Sequence, residues 1–403
     1  MRNRRTAVVQ GGDLVMAATT VGVLRETAPG ERRVALVPDL VPDLSRLGFT
    51  VLLERGAGAR AGHHDEAYAA VGAEPVAHTE LLNRADVLLG VQAPGADPAR
   101  ELHPGQLLVA LLRPTRIPRL VRRWADDGIN SIGLDLAPAG LPSAYPMDAA
   151  ASQARITGYQ AVLLAAVRLG RCLPPWGAAD ALFAPVRVLV AGAGHAGLQA
   201  IDTARRLGAQ VRVVEPRSAE RAEVLALGAE LLDLPGFHPV ADDAGLRELL
   251  DHELSALRDG LAEAVVRHDL VLTEVRPPGR EPPRVLDTAA VARMPSGSVL
   301  VDLAADAGTA DIEGAEPGRT TLVGDGITVI GAGDLAVQVP VTASLAYAHN
   351  AVALLTHLTR GGSLVLDPAD PVQDAMLVTH RRSVRHAATW QLLLDEAAVA
   401  GLP

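Results

Sequence analysis

The 403-residue chain contains no lysine: all 37 of its basic residues are arginine. Arginine stays protonated at neutral pH, so it supplies neither a general base nor a Schiff-base amine, and a mechanism built on a catalytic lysine is excluded. Cysteine is nearly absent as well. With Cys172 alone, neither an internal disulfide nor a cysteine metal site is available, which suits a reducing cytoplasm. Aromatics are 2% of the chain, so leucine, valine and alanine must do the core filling. No apolar run of about 18 residues occurs, so no membrane-spanning helix is expected. The histidines are scattered without metal-ligand spacing, and no metal site is expected. The formal net charge is −10, with the arginines dispersed rather than gathered, which argues against a nucleic-acid partner.

The stretch that is rich in information runs from Val186 to Arg217. Val186 to Val190 is a short β-branched apolar run, long enough for one buried strand. Gly192, Gly194 and Gly197 follow at G-x-G-x-x-G spacing, flanking His195 and Ala196. Leu198 to Leu207 then has helical spacing, with Ile201, Ala204 and Leu207 on one side and Arg205 and Arg206 on the other. A second strand, Val211 to Val214, ends in Glu215. In such a unit the first glycine makes the tight turn and the second admits a diphosphate. The third lets helix and strand approach, and the helix N-terminus offers N–H groups to the anion. Glu215, about 20 residues on, is positioned to accept hydrogen bonds from the adenosine ribose. A carboxylate there favours NAD(H) over NADP(H), and Arg217, two residues on, softens that preference.

At 403 residues with 49% hydrophobic content, two domains are expected. Residues 1–18 read as a loose extension, with a basic start that is not a signal peptide and Met16 a candidate first residue. Strands at Val21–Leu24, Thr50–Glu54, Val87–Val91 and Leu107–Leu112 alternate with helical segments, which indicates βαβ units and a parallel sheet. A basic pair, Arg32 and Arg33, follows the first of them, where it suits either a bound anion or a solvated turn. A long helical pattern from Ala149 to about Arg171 carries the chain into the second domain. There the strands expected after Glu215 are Leu270–Thr273, Ser298–Leu303 and Ile327–Ile330, with a polar, solvated helical stretch from Asp242 to Val265. Asp302, Asp306 and Asp334 fall at strand ends, where an open parallel sheet binds its ligand, although each also suits a cap or turn. A second long helix, Val341 to about Leu358, returns the chain to the first domain. There Leu364–Leu366 adds a strand, and residues from Ala375 on form a tail with an amphipathic helix. The domains are thus residues 19–148 with 345–403, and 149–344.

Five stretches resemble the alanine dehydrogenase and pyridine nucleotide transhydrogenase family. They are E-T-A-P-G-E-R-R-V-A-L-V-P from Glu26, G-F-T-V-L-L-E-R-G-A-G from Gly48, P-M-D-A-A-A-S-Q-A-R-I-T-G-Y from Pro146, the glycine stretch, and S-V-L-V-D-L-A-A from Ser298. The resemblance extends from about Val21 to His380. Leu198-Gln199-Ala200 and the motifs L-V-L-D-P-A-D and M-L-V-T-H point within it to the NAD(H)-binding alpha-subunit branch of proton-translocating transhydrogenase.

The resemblance implies an α/β fold of two Rossmann-like domains with parallel sheets, linked by long helices, with NAD(H) in the cleft between them. It implies a homodimer that passes hydride between NADH and NADP⁺ held on a partner subunit, in the cytoplasm and peripheral to the inner membrane through its partners. The family's nicotinamide-side aspartate is matched by Asp148 and its glutamine in the S-S-Q motif by Gln153. The glutamine of the preceding loop is replaced by Tyr145, and the arginine of that loop has no counterpart. Compared with the alanine dehydrogenase branch, Arg33 matches the substrate arginine and Asp306 the aspartate. Gln92, Arg113 and Asp334 stand where that branch has lysine, histidine and asparagine. Two alternatives remain open: a stand-alone NAD(P)-dependent dehydrogenase of an amino or oxo acid, with Arg33 and Arg113 holding the carboxylate and Asp306 assisting, and a non-catalytic NAD(H)-binding homologue.

Overall fold

The computed structural model describes residues 8–10, 13–16, 20–95, 102–175, 184–218, 220–238, 250–275, 284–305 and 310–399. It divides into two units, Met1–Gln153 with Val337–Pro403, and Ala154–Ala336.

Numbered in chain order, the strands of the first unit are β1 (Val8–Gln10), β2 (Asp13–Met16), β3 (Thr20–Val23), β4 (Thr50–Glu54), β5 (Glu74–Val76), β6 (Val87–Gln92), β7 (Leu107–Leu111) and β8 (Asn130–Gly133). The second unit supplies β9 (Arg187–Ala191), β10 (Gln210–Val214), β11 (Glu230–Leu231), β12 (Leu270–Thr273), β13 (Val299–Asp302), β14 (Thr320–Val323) and β15 (Ile327–Gly331). Back in the first unit come β16 (Thr359–Arg360), β17 (Ser363–Leu366), β18 (Leu377–His380) and β19 (Ser383–Val384).

The main sheet of the first unit has eight strands in the order β19-β18-β8-β7-β6-β3-β4-β5. From β8 to β5 every pairing is parallel, and β18 runs antiparallel to β8. The sequence dictates this arrangement through burial on both faces. Along β6, Val87, Leu89 and Val91 enter one apolar cluster and Leu88 the other, so the strand is a continuous apolar run rather than an alternating one. The chain starts in mid-sheet at β3, moves outward through β4 and β5, then returns to β6 and moves the other way. The point where the order reverses therefore lies between β3 and β6.

The second unit repeats the logic with seven strands in the order β11-β10-β9-β12-β13-β15-β14, parallel except for the last. Val188 and Val190 of β9 face one apolar cluster, and Leu189 and Ala191 the other. Its reversal point lies between β9 and β12. The helix Ala149–Arg168 runs on from the first unit into the second, three residues shorter than its pattern suggests, and Pro340–Leu358 is the second long helix.

Several expectations need correction. The N-terminal extension is not loose where it is described: β1 and β2 form a hairpin, and β2 pairs with β17. The strand expected at Leu364–Leu366 forms, but in that separate four-stranded sheet. Leu377–His380 is not tail. It is a fully buried strand of the main sheet, where its apolar residues gain a neighbour that only the fold supplies. The polar stretch before Val265 forms a helix at Asp251–Val265 whose Leu257, Leu261, Ala264 and Val265 are buried, so it is core-packed rather than a solvated excursion.

Candidate functional site

The carboxyl ends of β9, β10, β12, β13 and β15 lie at one edge of the second sheet, because these strands are parallel. Gly192 leaves β9 with φ +96°, a left-handed conformation suited to glycine, and a Cβ there would fall 2.2 Å from the Glu274 carbonyl oxygen. Gly194 is the N-cap of the helix His195–Arg206. A Cβ on Gly197 would fall 2.2 Å from the Gly192 carbonyl oxygen, so the third glycine is what allows helix and strand to meet. Ala200, Ile201 and Ala204 anchor this helix to the core, while His195 at its first turn is exposed. The alanine-rich run favours the helix, and Gly208 at φ +87° turns the chain out of it.

Glu215 is buried beneath this loop. One carboxylate oxygen accepts the Ala193 N–H; the other accepts the Arg217 N–H at 2.8 Å and its Nε at 3.1 Å. Arg217 in turn reaches Glu220 with Nη1 at 3.0 Å. Glu215 thus fastens the glycine loop to the end of β10, with Arg217 covering it. Asp334 follows β15 at the same edge and is partly exposed. Asp302 is fully buried and accepts N–H bonds from Ala304 and Ile312 at 2.9 and 2.8 Å, so it braces the chain after β13. Burial pushes its carboxyl up to about 6 against the lowering effect of those N–H groups. Asp306 lies outside the described residues.

Two residues belong to this edge without having been expected. Glu274 follows β12 directly, and its Oε2 accepts the Gly197 N–H at 2.6 Å. The signal for it was an acidic residue immediately after a buried apolar strand. Gly158, on the helix Ala149–Arg168, comes so close to Ala196 that a Cβ would fall 2.0 Å from that carbonyl oxygen.

The first unit has its own cluster where its strand order reverses. Arg33 is buried and donates from Nε and Nη2 to Glu31 at 2.8 and 2.6 Å, and from Nη1 to Gln153 Oε1 at 2.9 Å. Gln153 Nε2 donates to the Ala343 carbonyl at 3.0 Å, and Gln92 Nε2 donates to Glu31 at 2.9 Å. Burial acts to raise Glu31, but the hydrogen bonds and charge of Arg33 prevail and hold it at about 2. Glu26 accepts the Val91 N–H at 2.6 Å; burial outweighs that bond and, with Glu31 adding to the rise, brings its carboxyl up to about 7. Asp148, expected beside a ligand, accepts the Ala151 N–H at 2.8 Å and so caps the helix that begins at Ala149. Arg33 and Gln153 come together as a pair; Arg113, with φ +44°, is exposed and donates its backbone N–H to Asp135.

The fold and this edge define a class: a two-unit α/β protein whose second unit is a Rossmann-type sheet with a glycine loop at its reversal point. The particular family is equally plain. Residues 22–157 match Alanine dehydrogenase/PNT, N-terminal domain, and residues 161–387 match Alanine dehydrogenase/PNT, C-terminal domain; the chain belongs to this family. It is 33% identical over 371 residues to NAD(P) transhydrogenase subunit alpha of Cereibacter sphaeroides, a match covering 89% of this chain and 70% of that one. It is 31% identical over 303 residues to alanine dehydrogenase of Mycobacterium tuberculosis, covering 74% and 75%. A transhydrogenase structure from Sinorhizobium meliloti superposes with a TM-score of 0.78 at 33% identity, covering 92% of this chain and 99% of that one. The family thus includes oxidoreductases of both kinds, and its two-domain α/β fold is the fold of this chain.

Proposed function

We propose that this chain binds NAD(H) at the glycine loop of its second unit and passes hydride between NADH and NADP⁺ held on a partner subunit. The observation that carries the reading is the loop from Gly192 to Gly197 at the strand-order reversal, opening onto a helix N-terminus and backed by Glu215. Backbone that only glycine tolerates is placed where a diphosphate needs close approach, so the residues present fit a dinucleotide. Gly192, Gly194, His195, Ala196 and Gly197 hold the diphosphate, Glu215 takes the ribose hydroxyls once Arg217 moves aside, and Asp334 borders the site.

The bound dinucleotide supplies the hydride. The hydride would leave the nicotinamide of NADH for that of NADP⁺, with no proton abstracted from a substrate carbon in the transfer. The chain therefore needs no acid or base of its own, and its part is to hold and orient. Absence of lysine costs nothing in such a step. The Arg33 arrangement speaks against the amino- or oxo-acid alternative, since Glu31 and Gln153 already engage its guanidinium. We propose a homodimer with NADP-binding and membrane subunits as partners.

The test is fluorescence titration of the purified chain with NADH, then hydride transfer to an NADP⁺ analogue with an NADP-binding transhydrogenase component added, and sedimentation of the same sample. Binding, transfer and twice the 41.9 kDa chain mass are expected. Binding without transfer turns the reading to a dehydrogenase or a non-catalytic binder; no binding overturns it.

A further inference from the structure

We infer that the Glu274 carboxylate is a built-in competitor for the diphosphate position, and that it sets how tightly this chain holds a dinucleotide. This rests on the reading that the glycine loop binds NAD(H).

The placement follows from the sheet. β12 lies beside β9 in parallel register, with Thr273 opposite Ala191. The Glu274 N–H extends that ladder by donating to the Ala191 carbonyl at 2.7 Å. The residue after β12 is thereby fixed next to the residue after β9, across the reversal point where open parallel sheets take their ligands. From there the side chain reaches into the loop. Its Oε2 accepts the Gly197 N–H at 2.6 Å, and a Cβ on Gly194 would fall 2.8 Å from the same oxygen. The carboxylate therefore lies against two of the three fingerprint glycines.

The electrostatic consequence has a definite sign. Gly197 is the third residue of a twelve-residue helix, and its N–H is one of the donors that a helix N-terminus offers to an anion. Here the anion is the chain's own, in a short, charge-assisted bond. Arg217 pairs with Glu215 and Glu220 and also feels the charge of Glu274. Three carboxylates thus face one guanidinium. An incoming diphosphate either displaces Glu274 from Gly197 or settles beside a like charge, and each option weakens binding. Adenosine, which carries no phosphate, escapes the penalty.

The test compares wild type, Glu274→Gln and Glu274→Ala, as full chains, in titrations with NADH, ADP and adenosine. Circular-dichroism melting establishes that each variant is folded. Glu274→Gln keeps an oxygen that accepts the Gly197 N–H and removes the charge. We expect it to bind NADH and ADP about tenfold more tightly, equivalent to about 1.4 kcal/mol, with adenosine unchanged. Glu274→Ala should move in the same direction. If wild type binds NADH and Glu274→Gln binds it no more tightly, the inference is overturned and the proposed function stands. Weaker binding of all three ligands by Glu274→Ala would make Glu274 a mere brace of the loop and overturn it as well. If no variant binds NADH or ADP, the function reading falls and this inference with it.

Discussion

Two carboxylates a few residues apart, the half-buried Glu26 and the buried Glu31, are shifted in opposite directions because their partners differ. Glu31 faces a guanidinium and is held at about 2, whereas Glu26 faces two backbone N–H groups and is pushed up to about 7. Linkage gives the signs. Glu31 is more acidic folded than unfolded, so its contribution is present above about pH 4.5 and lost as pH falls toward about 2. Glu26 holds its proton more tightly when folded, so the protein loses stability as pH rises from about 4.5 through about 7. Glu26→Gln, which keeps an acceptor for Val91, should therefore stabilise the protein above pH 7 by on the order of 1–3 kcal/mol and flatten that part of the profile. Urea unfolding across this range measures it; an unchanged slope would exonerate Glu26. Arg33 shows why residue type alone misleads. In sequence it is a cation ready for a carboxylate, but in the fold Glu31 is that carboxylate.

At the scale of elements, the contact between the helix Ala149–Arg168 and the start of the helix His195–Arg206 positions the glycine loop from behind. It depends on Gly158, where an added Cβ would meet the Ala196 carbonyl at 2.0 Å with backbone on the far side. Neither partner is a flexible side chain, so the helices must part. Gly158→Ala should lower the unfolding free energy by on the order of 1–3 kcal/mol and weaken NADH binding through displacement of Ala196. A normal denaturation midpoint together with wild-type affinity would show that the contact is dispensable. The glycine at 158 was visible in the sequence, but nothing local distinguished it from a helix-weakening residue. Its reason is a helix that starts almost forty positions later.

For the whole molecule, the division into two units has a measurable consequence. The glycine loop, Glu215, Glu274 and Asp334 all belong to Ala154–Ala336, while the Arg33 cluster belongs to the other unit. A ligand that binds only the folded state stabilises what it binds by about 2.7 kcal/mol at a hundredfold excess over Kd. With saturating NADH, hydrogen exchange should slow first in peptides spanning 187–215 and 270–275. Protection confined to peptides of the first unit would place the nucleotide elsewhere. No helix among the described residues is long and apolar enough to cross a membrane.

The sequence alone determined the glycine loop and the acidic end of β10, because glycine spacing and a carboxylate directly after an apolar run are local properties. It likewise determined the alternation of apolar runs and helical segments that makes the two main sheets largely parallel. Only the tertiary structure decided which charges meet. Glu31 lies only two positions from Arg33, but its bond from Gln92 and the bond from Gly197 to Glu274 depend on side chains and backbone brought together by the sheets. Gln153 reaches Arg33 from 120 positions away. Tertiary structure also decided that Leu377–His380 is a strand, since four residues have no periodicity to read and gain their pairing only when β8 lies beside them. Asp148 is local by contrast: the Ala151 N–H that it accepts as a helix cap lies three positions away.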